Sequence, residues 1–78
     1  MLQAKPNGNP ESDGYLVVDS IGSVKFTVRR EHGSTPNGNA LDGKWVARDP
    51  NGIWIDFDKY RFDLFDRLGV IASQEIDI

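Results

Sequence analysis

The sequence predicts an α+β domain: an antiparallel sheet of four to five strands made of two consecutive β-hairpins, with one helix in the C-terminal half packed on one face. Three observations predict it. Apolar residues alternate around two Asp-x-x-Gly turns, Asp19-Ser20-Ile21-Gly22 and Asp49-Pro50-Asn51-Gly52. A helical spacing then takes over at residues 59–68, and Gly69 follows where a helix end favours positive φ. Seventy-eight residues, 38% hydrophobic and 27% charged, suit one small globular domain.

Residues 1–14 are rich in Pro, Gly, Asn and Ser and hold almost nothing apolar after Leu2, so a flexible N-terminal arm is expected there, with residues 15–78 forming the domain. Each Asp-x-x-Gly turn reads as type I closed by a left-handed glycine. Such a turn leaves a one-residue bulge and fixes which residues oppose one another. In the first hairpin Val18 then opposes Val24, Leu16 opposes Phe26 and Gly14 opposes Val28. In the second, Ala47 opposes Ile55 and Trp45 opposes Phe57. The faces so defined, Leu16, Val18, Val24, Phe26 and Val28 with Trp45, Ala47, Ile53, Ile55 and Phe57, are wholly apolar and form the predicted core. Without the bulge, Trp45 would meet Asp56 and the apolar set of the second hairpin would scatter over both sides.

The two turns lie 30 residues apart. Pro6-Asn7-Gly8-Asn9 and Pro36-Asn37-Gly38-Asn39 repeat at the same interval, the second inside a loop over 32–43. Each runs into an Asp-Gly pair ahead of a strand led by Tyr15 or Trp45, which suggests an internal duplication.

For the helix, Asp58 is the expected N-cap. Tyr60, Leu64, Phe65 and Leu68 share the side facing the sheet, Lys59, Asp63, Asp66 and Arg67 the other, with Asp63 and Arg67 spaced as an i, i+4 ion pair. Phe62 falls at the border of the buried arc. At about ten residues the helix would barely persist alone, so packing must hold it. Beyond Gly69, Val70, Ala72, Ile76 and Ile78 alternate with Ser73, Glu75 and Asp77 as a final strand.

Several chemistries find no support. With no cysteine there is neither a disulfide nor a thiolate metal site, and the lone His32 reads as a loop residue, so no metal or cofactor is expected. The 49–60 stretch departs from a calcium loop, with glycine at its fourth position and Tyr60 at its twelfth. The glycines are turn residues and not a phosphate cradle. Asp56 with Asp58 and Asp63 with Asp66 are explained by capping and a solvated helix face, so catalysis is not expected. Net charge −3 and a pI near 4.9 oppose non-specific attraction to nucleic acid or anionic lipid. The start lacks the pattern of a signal peptide and no apolar run approaches 18 residues, so a cytoplasmic setting without a membrane span is expected.

The same register sends Tyr15, Val17, Lys25, Thr27 and Arg29, with Val46, Arg48, Trp54 and Asp56, to the face away from the helix. Of these, Tyr15, Lys25, Thr27, Arg29, Arg48 and Trp54 are the candidate partner-binding residues, because exposed aromatics beside Arg dominate binding hot spots. The competing reading packs Trp54 beneath the 32–43 loop or the arm, with Arg48 stacked on it. The expected function is a non-enzymatic module that occupies the surface of another protein as adaptor or inhibitor. A phage or mobile-element accessory protein directed at a host or defence complex would fit this expectation. The alternative is single-stranded nucleic acid binding, with Tyr15 and Trp54 as stacking platforms and Lys25, Arg29 and Arg48 on phosphate. Homodimerisation through an edge strand or the open face is a further arrangement.

Overall fold

Two aspartates organise the two hairpins. The Asp19 Oδ1 accepts the amides of Ile21 and Ser23, both at 3.0 Å, and the Asp49 Oδ1 accepts those of Asn51 and Ile53 at 2.9 and 2.8 Å. Gly22 and Gly52, at φ +91° and +85°, donate back to the carbonyls of Asp19 and Asp49, as the type I turn with a left-handed glycine requires. In the computed structural model, which describes residues 1–72, these turns join strand β2 (Tyr15–Val18) to β3 (Val24–Glu31) and β4 (Lys44–Arg48) to β5 (Trp54–Asp58). Strand β1 (Leu2–Pro6), a short helix α1 (Pro10–Asp13), helix α2 (Arg61–Leu68) and strand β6 (Val70–Ala72) complete an α+β fold. The sheet order is β5-β4-β3-β2-β1-β6, antiparallel throughout except for the β1–β6 pair.

The turns form as expected, but the register beyond them does not. Val18 opposes Val24 and Arg48 opposes Trp54, the pairs nearest each turn; a second bulge then shifts both hairpins by one residue. Val17 therefore meets Phe26 and Tyr15 meets Val28, while Val46 meets Phe57 and Trp45 meets Asp58. Cross-strand partners share a face, so the helix-side face carries Tyr15, Val17, Phe26, Val28, Trp45 and Ala47. Leu16, Val18, Val46 and Phe57 take the other. Every residue of β2 except its flanks is apolar, so the strand's own alternation favours neither setting. In β5 the shift turns Asp56 and Asp58 toward the helix and leaves Ile53 and Ile55 exposed.

The expected arm is instead part of the sheet. Leu2 and Ala4 alternate with Gln3 and Lys5, and β1 lies between β2 and β6, with Ala4 fully buried opposite Val17. The loop repeat does not carry over into structure. Residues 36–39 make a tight turn inside the Ser34–Ala40 bridge, whereas Asn9 opens α1 by accepting the Glu11 amide. The hairpin turns, by contrast, match bond for bond.

Helix α2 starts two residues later than expected. Its N-cap is Tyr60, with no side-chain cap, and Asp58 accepts the Tyr60 amide at 2.9 Å just ahead of it. Gly69 ends the helix in the left-handed conformation as predicted. Leu64 and Phe65 are buried with Ala4, Tyr15, Val17, Phe26, Val28, Trp45, Ala47 and Val70, and Leu2 and Leu68 pack on this cluster. Tyr60, expected in the core, is 59% exposed. Arg67 does not pair with Asp63; it reaches across to Asp56 and Asp58 of β5 at 3.1 and 2.6 Å and donates to the Phe57 carbonyl at 2.8 Å. The chain thus leaves the sheet at one edge, crosses the apolar face as α2 and rejoins it at the other edge as β6. The final strand is seen over 70–72, and the part expected over 73–78 lies outside the described residues. No helix among the described residues is long and apolar enough to cross a membrane.

Candidate functional site

The surface nominated by the sequence is largely committed within the fold. Tyr15 is 1% exposed, its ring 6.0 Å from Trp45 and edge-on to Phe65 at 5.3 Å, so it is a core residue. The second bulge that turned β2 over is the reason. Thr27, Arg29, Arg48 and Trp54 do share the face away from α2. Arg48, however, binds both carboxylate oxygens of Glu31 at 2.7 and 3.0 Å, donates to the Gly52 carbonyl and lies 5.6 Å from the Trp54 ring centre. The Glu31 carboxylate accordingly raises the Arg48 pKa above its ordinary value. Trp54 is half-buried against Phe57, with Val46 beside it fully buried. Lys25 sits in the bulge and pairs with Asp19 at 3.6 Å. Of the six candidates, Arg29 alone is both exposed and without an ion pair among the described residues.

Cations and exposed aromatics instead converge on the helix side, at the end of the sheet away from the two turns. A cleft of about 700 Å³ is lined there by Arg30, Lys44, Lys59 and Arg61, by Trp45, Tyr60 and Phe62, and by Asp42 and Gly43. The fold assembles it from three places. Arg30 is the last helix-side residue of β3 and stands over Trp45 at 4.8 Å. The 41–44 segment, with Asp42 at φ +50°, turns its carbonyls toward the basic side chains: Arg30 Nη1 donates to Gly43 O and Lys44 Nζ to Leu41 O. The β5–α2 junction supplies the alternating run Lys59-Tyr60-Arg61-Phe62. Tyr60 and Phe62 stay 59% and 47% exposed.

Arg61 is the centre of this cleft. Its guanidinium lies 4.6 Å from the Phe62 ring centre and 5.5 Å from those of Tyr15 and Trp45, and its Nε is buried with no hydrogen-bond partner among the described residues. As first residue of α2 it also places positive charge at the positive end of the helix dipole, where the N-cap offers no side-chain acceptor and only Asp63 in the first turn compensates. Among the described residues, the carboxylate that ion-pairs with it is that of Glu11 of α1, 3.6 Å from Arg61 Nη1 and 3.2 Å from Arg30 Nε. A cleft of this size, with fixed cations over an aromatic floor, suits an anionic group joined to an apolar one.

No cluster of His, Asp or Glu able to hold a metal forms among the described residues. The sequence reading missed this site because it assigned Tyr60 to the core and Lys59 to a solvated helix face. The legible signal was the alternation of cation and aromatic over 59–62. Compared with known protein families, curated proteins and solved structures, this chain finds no match.

Proposed function

We propose that this chain is a non-enzymatic binding module that acts by occupying a partner protein, as adaptor or inhibitor, and that it does so by taking an acidic segment of that partner into the cleft at the start of α2. The observation that carries the reading is the convergence of Arg30, Lys44, Lys59 and Arg61 around exposed Tyr60 and Phe62, in a chain whose net charge is −3. A long polyanion would meet repulsion from the rest of the surface, and its binding draws on phosphate contacts spread along a track. One compact basic cleft favours a short anionic segment, which separates this reading from single-stranded nucleic acid.

The test is an array of short acidic peptides, each with its Asn/Gln counterpart, read against the wild type, a Lys44→Glu/Lys59→Glu double variant and Lys25→Glu at the opposite end of the sheet. Saturable binding to acidic peptides that falls at least about tenfold in the double variant and persists in Lys25→Glu is expected. Equal binding by the double variant, or tighter binding of an unstructured oligonucleotide than of any peptide, overturns the reading.

A further inference from the structure

We infer, resting on the reading just given, that Glu11 is an internal placeholder for the partner's carboxylate, and that the segment recognised carries an Asp or Glu beside an aromatic or long aliphatic side chain. The carboxylate would displace Glu11 from Arg61 and Arg30, while its neighbour packs on Tyr60 and Phe62.

The molecule itself provides the standard of comparison. Where it builds a permanent guanidinium–carboxylate pair, contacts are short and directional. Arg48 holds Glu31 by two hydrogen bonds at 2.7 and 3.0 Å, and Arg67 holds Asp56 and Asp58 at 3.1 and 2.6 Å. At the cleft the pairing is loose. Glu11 meets Arg30 at 3.2 Å and Arg61 at 3.6 Å without a hydrogen bond to either, and its side chain is 63% exposed. Among the described residues Arg61 makes no side-chain hydrogen bond and its buried Nε has no partner, and a guanidinium's planar fork is built to take a carboxylate two bonds at a time.

Placement favours exchange. Glu11 rides on α1, a four-residue helix beside β3 whose ends Asn9 and Asp13 tie down, and it is not among the buried core residues, so withdrawal of its side chain leaves the core packing between the sheet and α2 untouched. The cations it leaves are held in place, Arg30 by the Gly43 carbonyl and Arg61 by three aromatic rings, and the neighbouring Lys44 is held by the Leu41 carbonyl. A carboxylate from outside that brings an apolar neighbour gains contact with Tyr60 and Phe62, which Glu11 does not offer. This is why an acidic residue alone is a weaker ligand than an acidic residue next to an aromatic.

The experiment is a fluorescence-anisotropy titration of the intact chain with the labelled hexapeptide Asp-Phe-Glu-Asp-Phe-Glu, its Asn/Gln counterpart, and a version with alanine in place of phenylalanine. Glu11→Gln removes the competitor while keeping the shape and is expected to tighten binding of the acidic peptide about threefold to tenfold. Arg61→Lys keeps the charge but loses the fork, and is expected to weaken binding about tenfold. The Asn/Gln and alanine peptides should each bind at least about tenfold more weakly. Far-ultraviolet circular dichroism checks that each variant is folded. If Glu11→Gln binds no tighter than wild type while the Lys44→Glu/Lys59→Glu variant loses binding, the placeholder is refuted and the binding-module reading stands. If neither wild type nor Glu11→Gln binds the acidic peptide, both are refuted. If the Asn/Gln peptide binds as tightly, the carboxylate is not what is read.

Discussion

Two aromatic residues that the sequence treats alike prove to differ in kind. Tyr15 and Trp54 were both candidates for an exposed face. The structure buries Tyr15 among Trp45, Phe65 and the aliphatic core and leaves Trp54 half-buried between Arg48 and Phe57. Truncation should separate them. Tyr15→Ala is expected to lower unfolding stability by about 3 kcal/mol or more, through lost burial and the cavity left behind. Trp54→Ala should cost roughly 1–2 kcal/mol, because much of its area is already solvated. Urea unfolding of both variants measures the difference, and equal losses would contradict the burial of Tyr15. Gly14 shows the same tightness. It adopts φ +76° where an added methyl would run into the Val28 carbonyl, so β3 passes against backbone at a point the sequence marks only as a turn glycine.

Among the elements, β5 is the informative one, because it is an edge strand with acids turned toward the helix. Arg67 resolves that conflict by pairing with Asp56 and Asp58 and by occupying the Phe57 carbonyl, while the Asp56 Oδ1 accepts the Phe57 amide at 2.8 Å. Side chains thus satisfy backbone groups of Phe57 that would otherwise invite another strand. The Asp58 carboxyl is held below its ordinary pKa, first by the Tyr60 amide and then by Arg67. A lowered pKa means that its contribution is complete above the ordinary carboxylate range and is lost as pH falls from about 4 toward the lowered value. Arg67→Ala should therefore destabilise the protein at pH 7 more than at pH 2.5. Thermal unfolding at the two pH values checks this, and a gap between wild type and variant that fails to narrow in acid would count against the clamp. Asp19, lowered mainly by the Ser23 amide, adds acid sensitivity of the same sign in both wild type and variant.

For the whole molecule, the decisive link is the long crossover from β5 through α2 to β6, which closes only because β1 offers β6 a parallel neighbour. Removing residues 1–6 takes away an inner strand and the buried Ala4, and leaves β6 unpaired. Such a truncated chain is expected to lose dispersed amide resonances and cooperative unfolding, whereas removal of a mere arm would change neither. An NMR proton–nitrogen correlation spectrum distinguishes the two outcomes. The two hairpins share their turn bonds and second bulge at a 30-residue interval, which extends the sequence repeat into geometry.

What the sequence determined by itself was local: both turns, the pairs flanking them, the helix and its glycine end, and the α+β class. Each rests on interactions within a few residues, such as an aspartate accepting amides two and four positions on. What only tertiary structure decided was which way each strand faces. β2 is apolar on both sides, so a one-residue bulge could turn it either way, and the choice fell to how Tyr15 and Val17 pack under Phe65 with Trp45 alongside. Strand β1 carried too little hydrophobicity to be read without its neighbours. The cleft depended on both, since its cations come from β3, β4 and the β5–α2 junction, and only the 59–62 run was visible as a string. Short-range hydrogen bonds are encoded where they act, while the facing of a strand is settled by the sum of contacts that the rest of the chain brings to it.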